Sequence, residues 1–274
     1  MRVRPLLKWA GGKRSLVERI LSLFPNDYVD RSYHEPFMGG GAVFFRLEPI
    51  RGSVNDINPR LMNFYGVVRD CPEELIEVAS VYRYDKAEYY RLRNRFNTRP
   101  ADPVEDAALL LYLNKTGYNG LYRVNSKGEF NVPFGRYKNP TVVHPERIMK
   151  AGRLLQDVDI RCGDFLYLLE MVEAGDLCYL DPPYMPVSST AHFTGYSEEG
   201  FTEEDQRRLR DTCVELDSRG VVFVQSNSDT ELVRSLYTGT GFELVSLRTL
   251  RMISSKVSSR SKGYDLLITN SRAS

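Results

Sequence analysis

The chain has little cysteine, histidine or tryptophan, almost no net charge and no long hydrophobic run. Each scarcity removes a class of function. Its four cysteines, Cys71, Cys162, Cys178 and Cys213, are far apart in 274 residues and form no Cys-x-x-Cys pair. That spacing fits neither a disulfide framework nor a zinc ribbon, so reduced, mostly buried thiols are expected. The three histidines are equally scattered, which argues against a metal site. The longest unbroken apolar run, residues 107–113, is far too short to cross a bilayer. The basic, then apolar, N-terminus is interrupted by Lys8 and Gly11-Gly12, which does not suit a secretory signal. A cytoplasmic protein without a membrane partner is the expectation.

What is present is the balance of a globular protein, 42% hydrophobic and 27% charged, at a length that supports a full core. One large α/β domain, or one with a sizeable insertion, fits 274 residues. The net charge of +1 conceals an uneven distribution. Residues 85–153 hold 13 Lys and Arg against 7 Asp and Glu, and residues 246–262 hold five Lys and Arg and no acid. A near-neutral total can therefore hide a basic face for a polyanion. An unevenly charged solvated surface reads the same way on charge alone.

Three stretches differ in character. Residues up to about 56 carry strand and glycine-loop signals, with helical spacing over 13–24 and a short strand closed by Asn55-Asp56. Residues 57–157 read as helices over 60–68, 72–81 and 104–113. A Gly-, Asn- and aromatic-rich loop or hairpin follows around 117–137. From 158 onward strands and helices alternate again. Strands are expected at 177–180, 221–225, 242–249 and 264–269, and helices at 202–216 and 230–237. Thr202 and Asp205 form a capping-box variant. The alternation predicts a doubly wound sheet, its last two strands pairing as an antiparallel hairpin.

Three motifs carry chemistry. Glu35-Pro36-Phe37-Met38-Gly39-Gly40-Gly41 is a glycine loop between strand and helix, with Phe37, Gly39 and Gly41 as its core; such loops let a ligand approach the backbone. Asp56 follows Gly39 by 17 residues, near the spacing at which an acid binds ribose hydroxyls, though an Asn-Asp pair also suits a simple turn. The Gly-x-Gly-x-x-Gly pattern for a dinucleotide is absent, and apolar residues crowd in after the loop. An adenosine without a diphosphate, such as S-adenosylmethionine, fits better. Leu7-Lys8-Trp9-Ala10-Gly11-Gly12-Lys13 opens a helix, and Lys13 is placed to hold a carboxylate there; Trp9 alone would equally suit a core anchor. Asp181-Pro182-Pro183-Tyr184 ends the 177–180 strand. Its prolines fix the backbone and lack N–H donors, leaving a carboxylate, carbonyl acceptors and an aromatic face for a flat ring with an amino group.

Taken in order, Lys-Trp-Ala-Gly-Gly-Lys, Glu-Pro-Phe-x-Gly-x-Gly, Asn-Asp-Ile-Asn and Asp-Pro-Pro-Tyr, with a basic segment between the last two, closely resemble the Dam-type DNA adenine-N6 methyltransferases. They resemble the class that places target recognition between the cofactor and catalytic motifs. Leu111-Tyr112-Leu113-Asn114, Gly117-Tyr118-Asn119-Gly120-Leu121, residues 128–137 and Phe193-Thr194 extend the likeness over most of the chain. The implied fold is α/β, a Rossmann-like methyltransferase sheet with an antiparallel final hairpin plus an inserted, mainly helical DNA-recognition domain. The implied division is 1–56 and 158–274 for catalysis and 57–157 for recognition.

The resemblance implies that Trp9, Lys13, Phe37, Gly39, Gly41, Asp56 and Asp181 line an S-adenosylmethionine site. It implies that Asp181, Pro182 and Tyr184 hold a flipped-out adenine beneath a loop at 185–196. It also implies that Lys8, Tyr118, Asn119, Leu121, Arg123, Pro133, Arg136 and Tyr137 contact DNA at GATC, with no metal. Core packing is the other reading of Tyr118. Arg91, Arg93, Arg95 and Lys138 suit phosphate contacts or plain surface. Lys115-Thr116 and Tyr122-Arg123-Val124 depart from the family pattern, which bears on affinity and flanking preference. The implied partners are double-stranded DNA and, in a restriction–modification setting, a cognate restriction endonuclease. The rivals are an RNA adenine-N6 methyltransferase, a family that more often carries Asn where Asp181 stands, and a catalytically silent DNA-binding homologue. Transfer to duplex DNA against structured RNA discriminates the first, and binding of S-adenosylmethionine the second.

Overall fold

A computed structural model describes residues 3–184, 201–250 and 262–271. The expected loop at 185–196, Phe193-Thr194 and most of the basic 246–262 segment lie outside them. Among the described residues seven strands form one sheet in the order β3-β2-β1-β4-β5-β7-β6. They are β1 Tyr33–Glu35, β2 Gly52–Asp56, β3 Val158–Cys162, β4 Leu177–Leu180, β5 Val222–Ser228, β6 Glu243–Leu250 and β7 Lys262–Thr269. The β2–β3, β1–β4 and β4–β5 pairs are parallel, and β7 runs antiparallel to both β5 and β6. The expected final hairpin is thus present, paired from Glu243 opposite Thr269 to Leu250 opposite Lys262.

The chain divides into two compact units, one of residues 1–17 and 35–165, the other of 18–34 and 166–274. In the first unit β2 and β3 run in register, Gly52 beside Val158 and Asp56 beside Cys162. The helices there are α2 Phe44–Leu47, α3 Pro59–Asp70, α4 Pro72–Ser80, α5 Lys86–Asn97, α6 Pro103–Thr116 and α7 Pro145–Leu155, while α1 Val17–Leu21 belongs to the second unit from Glu18 onward. Each start has a local cause. Asn58 accepts from the Arg60 and Leu61 N–H groups ahead of Pro59, Asp85 from Ala87 and Glu88, and Asp102 from Val104 ahead of Pro103. The apolar run 107–113 becomes the middle of α6 and is buried all round, as a helix apolar on every side must be. The helix expected over 13–24 shrinks to α1. Lys13 folds back so that its ammonium donates to the Gly11 carbonyl at 2.7 Å, and Pro25 follows the far end.

In the second unit β4 and β5 pair with Tyr179 opposite Val224. Helices α8 Leu168–Met171, α9 Glu203–Ser218 and α10 Glu231–Tyr237 accompany them. The Val222–Ser228 strand outruns the expected 221–225, and its polar second half is fully buried. One side of that half faces the helices. The Gln225 amide oxygen accepts from the Tyr237 hydroxyl at 2.6 Å and the Cys213 thiol at 3.2 Å, and Asn227 donates to Gln206 at 2.9 Å. Cys178 and Cys213 are buried, whereas Cys162 is exposed and Cys71 partly so, fewer buried thiols than the sequence reading supposed. No described helix is long and apolar enough to cross a membrane.

Both halves of the Thr202–Asp205 capping box form, with the Asp205 N–H on Thr202 at 3.2 Å and the Thr202 N–H on Asp205 at 2.9 Å. Thr202→Ala should cost about 1 kcal/mol. The check is the urea midpoint of unfolding, which should fall; an unchanged midpoint would mean the cap contributes nothing.

Candidate active site

The glycine loop is tied down by one carboxylate. Asp56, at the carboxyl end of β2, accepts from the Gly39 N–H and the Asn58 N–H, each at 3.0 Å. Burial pushes its carboxyl above the usual carboxylate range, against the pull of the Asn58, Gly39 and Ile57 N–H groups. The Tyr65 hydroxyl donates to the Gly39 carbonyl at 3.0 Å, and burial, with the charges of Glu35 and Asp56, holds it firmly protonated. Asn55 donates to the carbonyls of Pro36 and Gly163 at 3.0 and 2.9 Å, and Glu35 accepts from the Phe44 N–H at the start of α2 at 3.0 Å. Phe37 packs against Phe165 with ring centroids 5.3 Å apart.

Trp9 explains why position 39 is glycine. The backbone there has φ +49°, and a Cβ would sit 2.8 Å from the indole Cδ1. The indole is stacked by Tyr122, with ring centroids 5.1 Å apart. Two motifs far apart in sequence thus form one wall. Lys13 lies in the same unit with only 5% of its surface exposed. A half-buried carboxylate with lone pairs beyond its Gly39 and Asn58 N–H bonds, an aromatic wall and a buried ammonium suit the hydroxyls, base and carboxylate of an amino-acid nucleoside. Gly41 takes φ +64° in the same turn.

In the second unit Asp181, Pro182, Pro183 and Tyr184 follow directly on β4, whose four residues are all buried. Pro182 is buried, and Asp181 and Tyr184 are half-buried. Ser226 donates to Asp181 Oδ1 at 2.7 Å.

The segment after α6 folds as a strap held by isolated antiparallel bridges, Gly117 with Phe134 and Val124 with Phe130. Its exposed side carries the residues expected to meet DNA. Tyr118 is 45% exposed, so core packing is not its role. Asn119 sits at φ +55°, and Arg123, Pro133 and Arg136 are exposed, while Leu121 and Tyr137 are half-buried. The Lys8 ammonium lies 4.8 Å from the centre of the Tyr137 ring. Asn114 clamps both ends of this group, its side chain accepting from the Lys8 N–H at 2.9 Å and donating to the Lys8 and Gly120 carbonyls at 2.7 and 3.0 Å. The Arg123 guanidinium is braced by Asn131 Oδ1 at 2.7 Å. Nearby, burial and the charges of Arg147, Lys8 and Arg14 push Lys115 down to about 8. Arg91 and Arg95 are instead paired with Glu88 and Glu105 as ordinary surface ion pairs.

Sequence reasoning missed Tyr65, Tyr84, Tyr122 and Ser226. Asn55 and Asn114 stood inside quoted motifs, but nothing in the sequence marked them as clamps. Among the described residues no group of three or more His, Cys, Asp or Glu side chains could hold a metal ion.

Residues 9–253 match the family described as D12 class N6 adenine-specific DNA methyltransferase. The chain is 42% identical to a type II methyltransferase of Lactococcus lactis subsp. cremoris, over 98% of this chain and 95% of that protein. It is 41% identical to a type II methyltransferase of Methanocaldococcus jannaschii, over 98% of this chain and 100% of that one. It is 38% identical to the DNA adenine methylase of Escherichia coli K12, over 96% and 94%.

The strap hangs on Tyr84, whose hydroxyl donates to the Gly135 carbonyl at 2.6 Å and accepts from the Tyr137 N–H at 2.7 Å. Tyr84→Phe should therefore speed hydrogen–deuterium exchange at the Tyr137 amide by about tenfold, the worth of one internal hydrogen bond. Unaltered exchange there would show that the strap is held by other contacts.

Proposed function

The chain belongs to the D12 class N6 adenine-specific DNA methyltransferases, and from that premise we propose that it methylates N6 of a flipped-out adenine in duplex GATC, using S-adenosylmethionine. The observation that carries this reading is the intact Asp181-Pro182-Pro183-Tyr184 corner at the carboxyl end of β4, where doubly wound sheets place their ligands. Residues 1–56 and 158–274 serve catalysis in this reading, and 57–157 serve target recognition.

S-adenosylmethionine supplies an electrophilic methyl group when bound. Asp56 would hold its ribose hydroxyls, Lys13 its carboxylate, and Trp9, Phe37 and the Gly39–Gly41 turn its remaining surface. The chain's own task is to make a poor nucleophile competent. The adenine N6 lone pair is delocalised into the ring. Asp181 and the Pro182 carbonyl, which no proline N–H competes for, accept the two N–H bonds and bias the nitrogen towards a tetrahedral form. Tyr184 stacks on the ring and fixes its plane. The rate then comes from orientation and from a carboxylate beside developing positive charge. The target amino group is paired inside a duplex, so the base must leave the stack, at a cost of about a few kcal/mol. Tyr118, aromatic and exposed, is suited to enter the space it vacates.

Sequence reading falls to the strap. Arg123 can bond a guanine bidentately through O6 and N7, Leu121 and Pro133 can meet a thymine methyl, and Lys8 can reach a second guanine. Asn119, Arg136 and Tyr137 complete the contact set. Work on chromosomal or phage DNA makes the cytoplasm the site of action. A cognate restriction endonuclease is the expected companion in a restriction–modification setting.

Asp181→Ala should cut methyl transfer about a hundredfold or more while sparing DNA binding; a variant retaining most of its activity on GATC duplexes would refute the acceptor role. Arg123→Ala should cost about 1–3 kcal/mol and relax specificity at one base. Binding titrations against single-base GATC variants check this, and uniform weakening on every sequence would make Arg123 a phosphate contact.

A further inference from the structure

β5 enters the core as Val222-Phe223-Val224 and continues as Gln225-Ser226-Asn227-Ser228, all four with no exposed surface. A buried hydroxyl in a central strand needs a partner to offset its lost hydration. Alanine would fill nearly the same space without that need. The Ser226 hydroxyl finds its partner in Asp181 Oδ1 at 2.7 Å, the length of a charge-assisted bond. The Tyr179 hydroxyl lies 2.9 Å from the same Ser226 oxygen. A serine has one hydroxyl proton, and here it goes to Asp181, so Tyr179 must donate. The result is a directed chain from Tyr179 through Ser226 to Asp181.

Strand geometry places the three together. Tyr179 and Asp181 are two residues apart, as are Val224 and Ser226, and Tyr179 pairs with Val224. Side chains two apart share a face, so Tyr179, Asp181 and Ser226 fall on one side of adjacent strands. Gln225 and Asn227 take the other side. The corner prolines fix the backbone of Asp181 but not its carboxylate plane, because a terminal carboxylate torsion has a broad minimum.

We propose that Ser226 is a positioning residue for methyl transfer, holding one oxygen of the Asp181 carboxylate so that the other meets the adenine amino group, with Tyr179 fixing the Ser226 hydroxyl in turn. This rests on the reading of Asp181 as the N6 acceptor.

Single-turnover methyl transfer to an unmethylated GATC duplex, with the full chain and saturating S-adenosylmethionine, isolates this step from product release. Ser226→Ala should slow it about ten- to a hundredfold, with the dissociation constants for duplex and cofactor unchanged. Tyr179→Phe, which conserves volume, should slow it about two- to tenfold. Added to Ser226→Ala, it should have no further effect, because its role runs through the missing hydroxyl. The proposal is overturned if Ser226→Ala turns over at the wild-type rate, or loses rate only in step with folded protein or ligand affinity. It is also overturned if Tyr179→Phe multiplies its full effect onto Ser226→Ala. Asp181→Ala run alongside separates the two layers. An active Asp181→Ala removes the acceptor reading and this proposal with it. An inactive one beside wild-type rates for both hydroxyl variants removes the role of Ser226 alone.

Discussion

The first unit of this protein is organised around one half-buried carboxylate that accepts two backbone N–H bonds. Asp56 joins the turn at Gly39 to the start of α3 at Asn58. Burial opposes its charge, and the N–H donors favour it. Around this point the glycine turn can press against Trp9, Tyr65 can hold the Gly39 carbonyl, and Asn55 can hold the Pro36 and Gly163 carbonyls. A ligand hydroxyl added to such a carboxylate meets an acceptor already fixed in place.

The strap after α6 follows a different logic. Its backbone forms only isolated bridges, and side chains supply the rest: Asn114 between Lys8 and Gly120, Tyr84 between Gly135 and Tyr137, and Asn131 on Arg123. These bonds order the backbone beneath while leaving Tyr118, Arg123 and Arg136 on the surface. Burial, and after it the nearby charges of Arg147, Lys8 and Arg14, depress the affinity of Lys115 for its proton. Crowding of like charge is relieved by a polyanion, which is how a chain of net charge +1 can bind DNA.

Much of this was legible in the sequence, and the exceptions have physical reasons. The β4 strand, the α9 cap and the final hairpin follow from an apolar run, a Thr-x-x-Asp signature and paired apolar stretches. Helix α5 was missed because its buried face is only Tyr89, Leu92 and Phe96 among charges. Helix α7 was missed because His144 gives no side-chain cap. β5 was cut short at Gln225, since a buried strand is not expected to end in four polar residues. That local rule fails where Ser226 meets Asp181, the corner proposed to be catalytic, and functional sites are where such failures concentrate. The motifs marked most of the candidate residues. The contact of Trp9 with the glycine turn, and of Lys8 with Tyr137, arises from long-range packing and had no signal in the sequence.

In the proposed reading this chain places methyl groups on one adenine of one short duplex sequence. The most direct measurement is to incubate the protein with unmethylated genomic DNA and isotopically labelled S-adenosylmethionine, then map every modified position at single-base resolution. Label is expected on adenine N6 within GATC on both strands and nowhere else. Label on cytosine, on adenines outside GATC, or on RNA in preference to the duplex would contradict it.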